Sequence, residues 1–82
     1  MNQTELDTAV RHALDEVAPD VDASTVDPHA DFHDELGLDS MDALNLAIAL
    51  HEATGVDIPE RDYPQITSVA TCVDYLAAHS SS

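Results

Sequence analysis

An all-α fold, a small bundle of three main helices and one short helix, is what three observations in this sequence predict. Apolar residues recur at three- and four-residue offsets in three separated segments. No segment alternates as a half-buried strand would. Prolines and glycines stand between the main periodic segments, where they can stop a helix. The 82 residues are expected to fold as one domain, 1–82, with residues 1–3 and 80–82 fraying at its ends.

The first helix is expected over residues 4–17, where Leu6, Val10, Ala13, Leu14 and Val17 line one face. Thr4 or Asn2 can cap its start, Glu5 and Asp7 suit the positive end of the helix dipole, and Pro19 stands just past its close. Residues 18–36 hold two prolines and little periodicity, which predicts a long loop with one short helical turn near Asp31 to Leu36. Val21, Val26, Phe32 and Leu36 are expected to tuck inward and pin it. The second helix is expected over 40–54, with Asp39 or Ser40 as the cap, Asp42 in its first turn and Gly55 as its left-handed stop. Val56 and Ile58 follow in an extended link to Pro59, and residues 60–65 can form a short helix. Thr67 then reads as the cap of a last helix, with Val69, Ala70, Val73, Leu76 and Ala77 at helical spacing to about His79.

Charge excludes several functions. Seventeen Asp and Glu face only Arg11 and Arg61, there is no lysine, and the formal net charge is −15. Nucleic-acid binding needs cations against phosphates, and an anionic membrane surface repels such a chain. The apolar runs are far too short to span a bilayer, and no basic start precedes an apolar stretch. The lone cysteine, Cys72, has no internal disulfide partner, which fits a reducing, cytoplasmic location. Gly37 and Gly55 lie too far apart for a glycine-rich phosphate loop, and the absence of lysine removes Schiff-base chemistry. What is left is a small acidic domain whose partners are basic proteins.

The second helix carries two apolar stripes. At about 100° per residue, Met41, Leu44 and Ile48 share one side, while Ala43, Leu46, Ala47, Leu50 and Thr54 share the other. A bundle of this size cannot surround a helix completely. One stripe is therefore expected in the core and the other on a docking face rimmed by Asn45, His51 and Glu52.

The run Asp34-Glu35-Leu36-Gly37-Leu38-Asp39-Ser40-Met41-Asp42 is the most informative stretch. By itself Ser40 reads as a helix cap. Its setting, Gly37-Leu38-Asp39-Ser40-Met41, resembles the Gly-x-Asp-Ser-Leu signature that opens the second helix of acyl carrier proteins. Ala49-Leu50-His51-Glu52, Ile58-Pro59-Glu60, Ile66-Thr67-Ser68-Val69 and Val73-Asp74-Tyr75-Leu76 are similar to later anchors of that family, so the resemblance covers about residues 4–79. It implies the acyl-carrier-like bundle and a non-enzymatic carrier role. Ser40 would receive 4′-phosphopantetheine from coenzyme A through a phosphodiester. Asp39 would be the neighbour that a phosphopantetheinyl transferase and its metal recognise. Met41, Asp42, Leu44, Asn45, Ile48 and Glu52 would form the partner surface, with Leu46, Ala47 and Leu50 inside. The implied partners are acyl-transferring, ketosynthase or ligase enzymes with basic docking patches, in fatty-acid, polyketide or related biosynthesis, served by a monomer. Met41 replaces the usual leucine, Asn45 and His51 stand where acids are common, and Tyr63 falls near the mouth of the interior cleft.

Two other readings stand beside this one. A peptidyl or aminoacyl carrier is disfavoured by the acidic balance and the Ile58-Pro59 link. An unmodified acidic adaptor with the carrier fold is disfavoured by the intact Asp39-Ser40 pair. His29 and His33 with Asp31 and Asp34 lie in a loop and read as solvated side chains, not metal ligands. Asp20, Asp22 and Ser24 imitate a calcium loop, but Thr25 and Asp31 stand where its glycine and glutamate belong. A hydrolytic triad built on Ser40 lacks the Gly-x-Ser-x-Gly elbow. Cys72 reads as a buried inert thiol, and Arg61 as a charge mate of Asp57, Glu60 or Asp62.

Overall fold

The computed structural model describes residues 2–79 and is all-helical, with no strand among them. Three α-helices follow in order, α1 (Gln3–Val17), α2 (Ser40–Thr54) and α3 (Val69–His79), with a 3-10 helix at Glu60–Gln65 between α2 and α3. Helix α1 packs against both α2 and α3, and the 3-10 helix bridges α2 and α3.

Each start has a local chemical cause. Asn2 caps α1: its Oδ1 accepts the Glu5 N–H at 2.8 Å, and Glu5 Oε1 accepts the Asn2 N–H at 3.3 Å. Asn2 and Gln3, expected to fray, are therefore the cap and first residue of α1, and Thr4 is not the cap. The fraying expected at Met1 and at 80–82 lies outside the described residues. At α2 the cap is Asp39, not Ser40, and Gly55 ends the helix at φ 76°, a left-handed conformation that favours glycine. At α3 the cap is Ser68, not Thr67. Ser68 Oγ accepts the Thr71 N–H at 3.1 Å, while Thr71 Oγ1 accepts the N–H groups of both Ser68 and Thr67. Thr67 thus gives up a donor at the cap instead of supplying the acceptor.

The core is sealed by Val10 and Leu14 of α1, Leu46 and Leu50 of α2, and Val69, Cys72 and Leu76 of α3. The long loop crosses this core. Phe32, Ala23 and Leu38 are buried, Val26 and Leu36 pack on it half-buried, and Val21 stays half-exposed outside the cluster. Ala23 and Leu38 do the inward packing that Val21 was expected to share. The expected helical turn is present, with Glu35, Leu36 and Gly37 N–H groups donating to Asp31, Phe32 and His33 carbonyls. Two further bonds tie the loop to the start of α3: Phe32 N–H to Thr67 O at 2.7 Å and Ala70 N–H to Pro28 O at 2.8 Å.

Arg11 fixes the earlier part of the loop. One guanidinium nitrogen donates to both Ala23 O and Val26 O at 2.8 Å, and Nε donates to Asp7 Oδ1 at 2.8 Å. On α3, Tyr75 is buried, although the expected inner face held Ala70 and Ala77. Ala70 is half-buried and Ala77 exposed. The Tyr75 hydroxyl donates to Asp62 Oδ2 at 2.6 Å and so holds the 3-10 helix against α3.

Candidate functional site

The start of α2 is built by three short-range devices. Gly37, at φ 71°, turns the chain out of the helical turn before it. Asp39 and Asp42 then cap reciprocally: Asp39 Oδ1 accepts the Asp42 N–H at 3.0 Å, and Asp42 Oδ2 accepts the Asp39 N–H at 3.2 Å. Ser40 becomes the first residue of the helix, exposed, and its hydroxyl forms no hydrogen bond among the described residues. The Ala43 N–H is satisfied by Asp39 O, but the N–H groups of Ser40 and Met41 have no partner among the described residues. A primary hydroxyl, two free N–H donors and the positive end of a helix dipole lie together, a donor set that suits a phosphodiester.

Ser40 also stands at the edge of a cleft of about 200 Å³. Its apolar wall is Phe32, Leu38, Ala43, Leu46 and Ile66, and His33, Asp39, Tyr63 and Thr67 complete the rim. Tyr63 is where the resemblance places it, and it is half-buried. His33 Nδ1 lies 3.0 Å from Leu38 O. The contributions of His33, Leu38 and Thr67 to this cleft had no signal in the sequence, because a loop without periodicity does not announce which residues face inward.

The two stripes of α2 separate as their angular positions require. Leu46, Ala47 and Leu50 are buried, while Met41, Leu44 and Ile48 are 62%, 37% and 49% exposed. Asn45 and Glu52 are exposed on the same helix, and Asp42 is half-buried by its capping role. His51 turns away from this rim toward the C-terminal end of α2, with Nδ1 3.1 Å from Val56 O and 3.3 Å from Asp57 Oδ1.

The remaining polar residues have structural neighbours. Cys72 is fully buried, and burial pushes its thiol up to about 12. Burial first, and then the hydrogen bond and charge of Asp62, push the Tyr75 phenol up to about 12. Asp22 is engaged in a local turn with Ser24 at 2.6 Å. Arg61 forms no ion pair among the described residues, contrary to expectation: Asp62 takes the Tyr75 hydroxyl and Asp57 faces His51.

Comparison with known proteins places the chain in a family. A family model described as the phosphopantetheine attachment site matches residues 8–76. The mitochondrial acyl carrier protein 2 of Arabidopsis thaliana is 42% identical over 59 residues, 72% of this chain and 47% of that protein. The acyl carrier protein of Rubrobacter xylanophilus is 41% identical over 61 residues, 74% of this chain and 75% of its own. The mitochondrial acyl carrier protein of Saccharomyces cerevisiae is 33% identical over 67 residues, 82% of this chain and 54% of that protein. The chain thus spans about half the length of the two mitochondrial relatives. No helix among the described residues is long and apolar enough to cross a membrane. With a family match over most of its residues and a bacterial relative matched over three quarters of both sequences, the chain belongs to the acyl carrier proteins, which hold a covalent 4′-phosphopantetheine.

Proposed function

We propose that this chain carries acyl intermediates, as thioesters on a 4′-phosphopantetheine arm joined to Ser40, and delivers them to enzymes of fatty-acid, polyketide or related biosynthesis. The observation that supports this most is Ser40 itself: an exposed, unbonded hydroxyl at the first position of α2, beside two free N–H groups and inside the matched segment 8–76. When present, the arm supplies a thiol on which an acyl group can ride. Everything else falls to the chain. The Ser40 and Met41 N–H groups and the helix dipole favour a phosphodiester's charge. Ser40 Oγ forms no hydrogen bond to a base among the described residues. The chain is therefore read as a substrate of a phosphopantetheinyl transferase and not as an enzyme, with Asp39 as the carboxylate that transferase and its metal recognise.

Partner enzymes would dock on Met41, Leu44 and Ile48, rimmed by Asp42, Asn45 and Glu52. An apolar centre with an acidic border fits a basic patch, and the net charge of −15 speeds the encounter more than it tightens the complex. The reading includes a monomer working in the cytoplasm without nucleic acid or membrane. The cleft favours short cargo: a cavity of roughly 150 Å³ accommodates a benzene-sized group, and this one holds about 200 Å³ with Tyr63 at its edge.

Incubation with coenzyme A, Mg²⁺ and a broad-specificity phosphopantetheinyl transferase should add one phosphopantetheine mass to the wild type and none to Ser40→Ala. Modification of the alanine variant, or none of the wild type by several transferases, overturns the assignment.

A further inference from the structure

We infer that His33 is a positioning residue for the arm, its Nε2 edge donating to the phosphodiester on Ser40. The inference rests on Ser40 being the attachment point and goes beyond it by assigning the group that meets the arm's charge. His33 lies on the turn that ends at Gly37, and the Gly37 N–H donates to its carbonyl at 3.1 Å. Its ring is fixed from one side, because Nδ1 is 3.0 Å from Leu38 O. A carbonyl oxygen only accepts, so Nδ1 carries the proton of that bond and donates it. Nε2 is left as the uncommitted edge, on a ring that lines the same cleft as Asp39 and Ser40.

The charge inventory singles this ring out. The chain has two arginines and no lysine. Arg11 is spent on Asp7 and two loop carbonyls, and Arg61 stands on the 3-10 helix and does not line the cleft. Of the cleft's lining residues, only His33 can become a cation. The titratable groups on its own turn are Asp31, Asp34 and Glu35, those at the start of α2 are Asp39 and Asp42, and Tyr63 lines the cleft from the 3-10 helix. None is a competing cation. Asp31 Oδ2 accepts the N–H groups of His33 and Asp34, and Asp39 and Asp42 each spend one oxygen on capping. A phosphodiester on Ser40 would meet the Ser40 and Met41 N–H groups from the helix side and a protonated His33 from the cleft side. The base of the arm would then be held in one orientation while its far end stays free to reach partners.

The test compares apo and holo full-length protein, with arm attachment verified by mass. On conversion to the holo form, the ring nitrogen resonances of His33 should move and those of the other four histidines should not. The ³¹P resonance of the holo protein should depend on pH in the wild type. His33→Asn keeps a donor near the position of Nδ1, and so the bond to Leu38 O, but lacks the Nε2 edge. It should retain the wild-type melting temperature and lose the ³¹P response to pH. A loaded protein whose His33 resonances stay in place, or a His33→Asn protein whose ³¹P response is unchanged, overturns this inference alone. Failure of Ser40 to gain the arm overturns the carrier reading and this inference with it.

Discussion

Leu46 and Leu50 on one face of α2 and Leu44 and Ile48 on the other are nearly the same in chemistry. Yet the first pair is 1% and 0% exposed while the second stands about half in water. The difference lies in the neighbours. Helix α1 and the 3-10 helix pack on α2, and Leu46 and Leu50 join the core that α1, α2 and α3 share. No element among the described residues lies over the outer face. Keeping Met41, Leu44 and Ile48 apolar in water has a cost in solubility, and a contiguous exposed patch of this kind is usually retained for a partner. Two leucines two residues apart therefore sit in different surroundings, Leu46 in the core and Leu44 partly in water, and of the two the proposed docking role falls to Leu44 alone.

The inner face should be the more sensitive to truncation. Leu46→Ala and Leu50→Ala should each cost about 2–5 kcal/mol, because the closely packed walls relax only partly around the space left behind. Urea unfolding followed by circular dichroism measures it. A loss below about 1 kcal/mol at both positions would mean that the inner face is loosely packed and the two faces are alike.

Much of this contrast was legible in the sequence, because helical period and capping are local. Gly55 and the opposed stripes follow from residues within a turn or two of each other, whereas spacing alone does not choose between Asp39 and Ser40 as the cap. By itself Ser40 reads as a cap, and the candidate site is legible only through the resemblance of the Gly37–Met41 run to a family signature. What sequence did not disclose was non-local. Arg11 meets carbonyls 12 and 15 residues away, and Tyr75 meets Asp62 at 13. Ala23 and Leu38 turn inward from a loop with no period, and His33 reaches the cleft only because the loop folds across the core. Arg61 has acids on both sides in sequence and pairs with none of them among the described residues, since adjacency along a chain does not set side-chain direction.

Those non-local pins hold the elements on which the inner face depends. Arg11→Met keeps the apolar stem but leaves Ala23 O and Val26 O without their charged donor. It should cost about 1–3 kcal/mol and raise amide exchange across the loop that leads to α2. Unchanged exchange there would remove Arg11 as the loop's anchor. Tyr75 predicts a pH effect. Its phenol is raised from 10.0 to about 12 in the folded protein, so below pH 10 it is neutral in both states and its contribution is complete. Above that the unfolded chain ionises first, and stability is lost as pH rises from about 10 through about 12. Urea midpoints should fall more steeply over this interval in the wild type than in Tyr75→Phe, and parallel slopes would show that burial and Asp62 do not raise the phenol.

The smallest effect on folding should be at the outer face, and it is the one that decides what that face is for. Leu44→Ala and Ile48→Ala should each change stability by less than about 1 kcal/mol, since both side chains already meet water and removing them leaves no cavity. The same variants should slow modification of Ser40 or transfer to a partner enzyme, because an apolar anchor at the centre of a docking patch contributes far more than the acids around its rim. Salt separates the two contributions. Raising ionic strength screens the acidic border and lowers the association rate in the wild type and both variants alike, while the deficit of Leu44→Ala and Ile48→Ala persists at high salt. The measurement is a melt series run beside a transferase time course at two salt concentrations. Variants that unfold would show this face to be core, and folded variants modified at the wild-type rate at both concentrations would show it to be no docking surface for the transferase.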